Sequence, residues 1–124
     1  MQGDKLNIYI VSEDLVFIRL MEIVFNHYLI NPSVEKISSF VDLKEKKIID
    51  SPDFVILDDF IAGASSLEVI TFLRFNRRLD CPVYFFCETV PDLAEKAIQR
   101  GANRYYTKPF KPWMVAEEII SNLN

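Results

Sequence analysis

The chain has 124 residues, 50% of them hydrophobic, and 14 Lys+Arg set against 18 Asp+Glu give a formal net charge of −4. That length suits one domain over residues 1–124, and the apolar fraction supports a packed core rather than a disordered tail. The acidic balance argues against direct nucleic-acid binding, which needs a basic surface against the phosphates.

NIYIV (7–11) is a short β-type run, and Ser12, Glu13 and Asp14 follow it. Leu15, Ile18, Met21, Phe25 and Tyr28 then recur at helical spacing. This is the most apolar part of the chain, but Arg19 and Glu22 interrupt it, so no membrane span is expected. Glu13 and Asp14 also fall where the apolar stretch of a signal peptide would lie. Both absences point to the cytoplasm. The single histidine, His27, sits in this helix and reads as a packed or surface residue. No His/Cys cluster suited to zinc accompanies it.

NPS (31–33) is a turn and VEKIS (34–38) an edge strand. Val41 to Ile49 reads as a short helix with a lysine-rich outer face. DFVIL (53–57) is the clearest buried strand and runs straight into two acids, Asp58 and Asp59. AGASS (62–66) is a loop, and Ser65 with Glu68 three residues on forms a capping-box signature. The helix it opens extends to about Arg78, with Arg74, Arg77 and Arg78 as a solvated end.

Pro82 opens a second buried strand, PVYFFC. A strand between Cys81 and Cys87 holds them roughly 20 Å apart. A disulfide needs Cα atoms within about 7 Å, so both read as free thiols of a reducing compartment. Thr89 is placed to cap a fourth helix with Pro91 in its first turn. Gly101 ends that helix in a left-handed conformation. RYYT (104–107) is the last strand, and a final helix follows Pro112.

β and α segments thus alternate through five units. Alternation of this kind means a parallel sheet with helices on both faces, here a doubly wound, five-stranded α/β fold of flavodoxin-like type. Ligands of such sheets bind beyond the carboxyl ends of the strands. The sequence puts Ser12, Glu13 and Asp14 there after the first strand and Asp58 and Asp59 after the third. Cys87, Glu88 and Thr89 follow the fourth strand, and Lys108 follows the fifth. Clustered carboxylates repel, so one takes a proton or a cation sits among them. Few carboxylates and a phosphoryl group suit Mg²⁺, and a carboxylate beside a metal and a lysine can attack phosphorus.

PDFVILDDFIAGASSLEVI and RYYTKPF, at this spacing, resemble the response-regulator receiver domain of two-component signalling across nearly the whole chain. The resemblance implies a (βα)₅ receiver that accepts a phosphoryl group on Asp58 from a histidine kinase or phosphotransfer protein. Lys108 falls on the phosphoryl-contacting lysine and Tyr105 on the aromatic switch position. Mg²⁺ would be held by Glu13, Asp58 and the backbone carbonyl of Phe60. A downstream protein partner would read the switched state, and the last helix face is a surface for a homodimer. Turnover is limited to self-phosphorylation and slow self-dephosphorylation.

The departures are specific. Ser12 stands where the family usually has an acid, and Glu13 is a methylene longer than the usual aspartate. Cys87 stands at the usual Thr/Ser position, and a thiol is a poor donor to a phosphoryl oxygen. Asp59 falls on a position that is usually apolar and is not a site position. Each residue also has a plain structural reading: Ser12 as a helix N-cap, Glu13 as a first-turn acid, Cys87 as a small buried apolar residue, Asp59 as solvated or ion-paired. These departures support an alternative function, a pseudo-receiver that acts as a phosphorylation-independent interaction module.

Overall fold

Unbroken β-branched and aromatic runs make the central strands. The computed structural model describes residues 5–46 and 51–123. β1 (Asn7–Val11), β3 (Phe54–Asp58) and β4 (Val83–Cys87) are buried almost throughout. β2 (Ser33–Ile37) and β5 (Arg104–Thr107) are more exposed, as edge strands are. All pairings are parallel, in the order β2-β1-β3-β4-β5. This is the doubly wound α/β sheet expected from the alternation. The chain leaves β1 for one edge and returns to β3 on its other side, so the strand order reverses between them. Asp58 therefore lies at the carboxyl end of β3 beside that of β1, where such sheets bind ligands.

Side chains alternate across each strand, and the two faces have separate cores. Ile8, Ile10, Phe54, Ile56, Tyr84 and Phe86 face α1 (Leu15–Tyr28) and α5 (Pro112–Ser121). On the other face, Val11, Val55, Leu57 and Phe85 pack with α2 (Phe40–Glu45), α3 (Ser66–Thr71) and α4 (Leu93–Arg100).

Several ends differ from the sequence expectation. Asp14, not Ser12, caps α1, its Oδ1 accepting from the N–H groups of Val16 at 2.9 Å and Phe17 at 3.3 Å. β2 starts one residue earlier than expected. α2 ends at Glu45, and the expected continuation over 47–49 lies outside the described residues. The capping box of Ser65 and Glu68 is present in both directions. α3 continues as a π-helical turn, Phe72–Asn76.

Thr89 does not cap α4. The helix begins at Leu93 after Asp92, which has a φ of 67° and makes no side-chain cap. Pro91 disfavours helical backbone at Val90, and the Leu93 N–H closes a turn on the Val90 carbonyl at 3.2 Å. Thr89 is left exposed in the β4–α4 loop.

Arg74 is no solvated end either. Its guanidinium donates to the carbonyls of Gly101, Leu79 and Cys81 and to Asn103 Oδ1. It thereby ties α3 to the turn before β5. Gly101 serves that turn twice: its φ is 123°, and a Cβ there would meet Arg74 Cγ at 2.8 Å. Among the described residues no helix is long and apolar enough to cross a membrane.

Candidate functional site

The loops after β1, β3, β4 and β5 deliver polar groups to the carboxyl edge of the sheet. The apolar strand β3 carries Asp58 at its last position, wholly buried. A buried carboxylate needs partners for its oxygens, and Asp58 has them. Oδ2 accepts from Ser12 Oγ at 2.6 Å. Oδ1 accepts from Lys108 Nζ at 2.5 Å and from the Asp59 N–H at 2.9 Å. Ser12 Oγ in turn accepts from the Asp14 N–H at 2.9 Å. The residue read as a helix cap is instead a fully buried link between the β1 loop and Asp58.

Lys108 follows β5 and is aimed inward by that strand's pairing, its N–H donating to the Cys87 carbonyl at 2.9 Å. Its ammonium lies between two carboxylates, since it also pairs with Asp59 Oδ1 at 2.8 Å. It sits 5.5 Å from the Phe17 ring centroid. Lys108 retains 19% side-chain exposure, Asp59 15% and Asp58 none. Asp59 does more than neutralise charge: its Oδ2 accepts from the Glu88 N–H at 2.8 Å. Sequence reasoning set Asp59 outside the site. The signal that could have placed it there was its own departure, an acid where an apolar residue is usual, next to a lysine-bearing strand end.

The remaining candidates are less engaged. The Glu13 side chain is exposed, and its N–H donates to the Phe60 carbonyl at 2.7 Å. Ser12 Oγ also approaches that carbonyl at 3.5 Å. Cys87 is buried among the apolar residues beneath α3 and α4, and burial together with Asp59 pushes its thiol up. Tyr105 is 46% exposed beside Ile98 and Arg104. Its neighbour Tyr106 stacks on Phe86 and donates to Glu118 Oε1 at 2.6 Å. Trp113 packs edge-on against His27 at 5.0 Å and Tyr28 at 6.0 Å. Among the described residues no three His, Cys, Asp or Glu side chains converge as a metal-binding group.

Burial pushes the Asp58 carboxyl up, against the pull of Lys108 and Ser12. Burial pushes Asp59 the same way, but Lys108, the Glu88 N–H and Asp58 outweigh it and hold the carboxyl below its ordinary range. Burial would lower Lys108, yet its bonds to Asp58 and Asp59 leave it above 10.5. Burial and the bond to Glu118 raise Tyr106 from its ordinary 10.0. A group raised on folding favours the native state while protonated in both states and loses that contribution as the pH climbs through its folded value. Stability from Tyr106 and Lys108 is therefore whole below 10.0 and 10.5 and lost above them. Urea midpoints measured from roughly pH 8 to 11 should fall on the alkaline side. A flat profile would refute the Lys108 and Tyr106 assignments.

No protein-family model and no curated protein sequence matches this chain significantly. Solved structures match it along nearly its whole length. A CheY-like response-regulator receiver domain protein from Methanospirillum hungatei superimposes with a TM-score of 0.83 at 16% identity, covering 97% of this chain and 94% of its own. The chemotaxis response regulator CheY4 of Vibrio cholerae gives 0.81 at 15% identity, with 98% and 100% covered. A Burkholderia pseudomallei response regulator, solved with a phosphorylated aspartic acid and a calcium ion, gives 0.77 at 19% identity, with 98% and 67% covered. Over the five parallel strands and their covering helices, this chain has the fold of response-regulator receiver domains.

Proposed function

We propose that the chain is a receiver-fold signalling module that works by protein–protein contact without taking up a phosphoryl group. One observation carries this reading: the Lys108 ammonium is seated between Asp58 and Asp59, and both oxygens of the fully buried Asp58 are engaged. Both Asp58 oxygens already accept hydrogen bonds, so an incoming phosphoryl group competes with Ser12 and with an ammonium shared by Asp59.

The donors also fit a divalent cation poorly. Magnesium sites combine one or two carboxylates with phosphoryl oxygens and waters. Here Ser12 supplies a hydroxyl in place of a charge, Asp58 and Asp59 share Lys108, and the Phe60 carbonyl already accepts from Glu13. The buried Cys87 thiol is a weak donor where a hydroxyl would bond a phosphoryl oxygen. Partner contact falls to the exposed face over β5 and its flanking helices, where Ile98, Tyr105 and Met114 are in water. A histidine kinase or phosphotransfer protein is then no obligatory donor.

A second reading has its own support. Asp58 ends β3 in direct contact with Lys108, the pair that a phosphoacceptor needs, and the Burkholderia relative carries a phosphorylated aspartic acid. On that reading Asp58 accepts the phosphoryl group, Lys108 pairs with its oxygens, and Tyr105 moves on switching. Mg²⁺ would rest on Glu13, Asp58 and the Phe60 carbonyl.

Intact-mass measurement after incubation with acetyl phosphate, with and without Mg²⁺, separates the two. The expected result is an unchanged mass under both conditions, for the chain and for Asp58→Asn alike. An adduct that needs both Mg²⁺ and Asp58 would overturn the proposal and establish the phosphoacceptor.

A further inference from the structure

In both readings Asp59 is at most a counter-charge to Lys108 and has no role of its own. We infer that its carboxylate is an internal anion, occupying the donor pair formed by Lys108 Nζ and the Glu88 N–H and thereby holding the β4–α4 loop in one position. The inference rests on the reading in which the site takes no phosphoryl group.

An anion arriving at this edge would be met by an ammonium and by backbone N–H groups, the donors that bind oxyanions most strongly. Lys108 Nζ and the Glu88 N–H lie on two different loops, after β5 and after β4. Asp59 reaches both, with Oδ1 on Lys108 at 2.8 Å and Oδ2 on Glu88 at 2.8 Å. It is aimed by its own backbone, because its N–H donates to the Phe86 carbonyl at 2.9 Å and to Asp58 Oδ1 at 2.9 Å. One side chain just after β3 therefore ties together the loops after β4 and β5.

The rest of the loop lacks comparable ties. Glu88, Thr89, Val90, Pro91 and Asp92 are all exposed, and Asp92 caps nothing. A loop with few buried contacts is drawn from the low-stability end of a fold. The Glu88 anchor thus decides where it rests. Asp59 is a positioning residue: it acts on the start of α4 through Glu88, and on Asp58 through Lys108.

The test compares the chain with Asp59→Asn, which keeps the shape and removes the charge. In the variant the amide resonances of Glu88, Thr89 and Val90 should shift and broaden while those of α1 stay in place. Inorganic phosphate, titrated into both, should bind the variant about tenfold more tightly, since a charge-assisted pair has been released. Removing the charge beside Lys108 raises phosphate affinity by itself, so equal affinity overturns the inference. So does a Glu88 resonance at its wild-type position. Should the variant not fold, amide hydrogen exchange in the unaltered chain decides: Glu88 exchanging about tenfold more slowly than Thr89 supports the anchor, and equal rates overturn it. Failure here leaves the acetyl phosphate result untouched, so the two claims fall separately.

Discussion

Lys108→Met destabilises the protein by about 3–5 kcal/mol at neutral pH, the cost of removing one partner from a buried charge pair. The methionine fills much of the same space along the Phe17 ring, so little of the loss comes from packing. The loss comes from charge. Asp58 is fully buried and Asp59 partly buried, and both depend on the one ammonium. Ser12 remains on Asp58, yet a hydroxyl cannot offset two adjacent carboxylates. A proton can replace the ammonium, because like charges in contact raise one carboxyl strongly. Burial already pushes Asp58 in that direction. The loss should therefore shrink as the pH falls through the carboxylate range. Urea unfolding of both proteins at neutral and mildly acid pH measures it, and a loss under about 1 kcal/mol at neutral pH would mean that the pair is solvated.

Phe86→Ala is the second large effect, a destabilisation of about 3–5 kcal/mol. Phe86 is wholly buried in β4, where it pairs in register with Asp58 on one side and Tyr106 on the other. Its ring meets Phe110 at 4.9 Å, Tyr106 at 5.1 Å and Phe17 at 5.4 Å. These neighbours come from α1, β5 and the loop after β5 and cannot collapse together into the space the ring leaves. Phe17 also bears on Lys108, and Phe110 lies two residues after it, so the cavity opens beneath the ion pair. The variant should lose part of the Lys108 contribution as well, seen as a shallower alkaline loss of stability. Thermal or urea unfolding checks the main effect, and a cost under about 1.5 kcal/mol would show that the site can repack.

The sheet was legible because strands buried on both faces must be apolar throughout. FVIL and VYFF could be nothing else at that length, and helical spacing between them dictated parallel pairing. The convergence of Asp58, Lys108, Ser12 and Cys87 on one edge followed from the same alternation, since every strand in a parallel sheet ends on the same side. Gly101 and the Ser65–Glu68 capping box were legible for a local reason: each depends on backbone and side chains within a few residues.

What the sequence could not contain were contacts between loops that are distant along the chain. Ser12 looked like a cap, yet the hydroxyl bonds a carboxylate 46 residues away. Arg74 looked solvated, yet two of its nitrogens donate to the Gly101 carbonyl 27 residues on. Thr89 looked like a cap, and the turn at Pro91 moved the helix start beyond its reach. Local pattern determines which segments are strands and helices and where the polar edge lies. Tertiary structure alone decides which donor meets which acceptor, because a buried polar group takes the partner that packing brings within about 3 Å. Asp59 illustrates the division: its place beside Asp58 is written in the sequence, and its hold on Lys108 and Glu88 exists only once β3, β4 and β5 lie side by side.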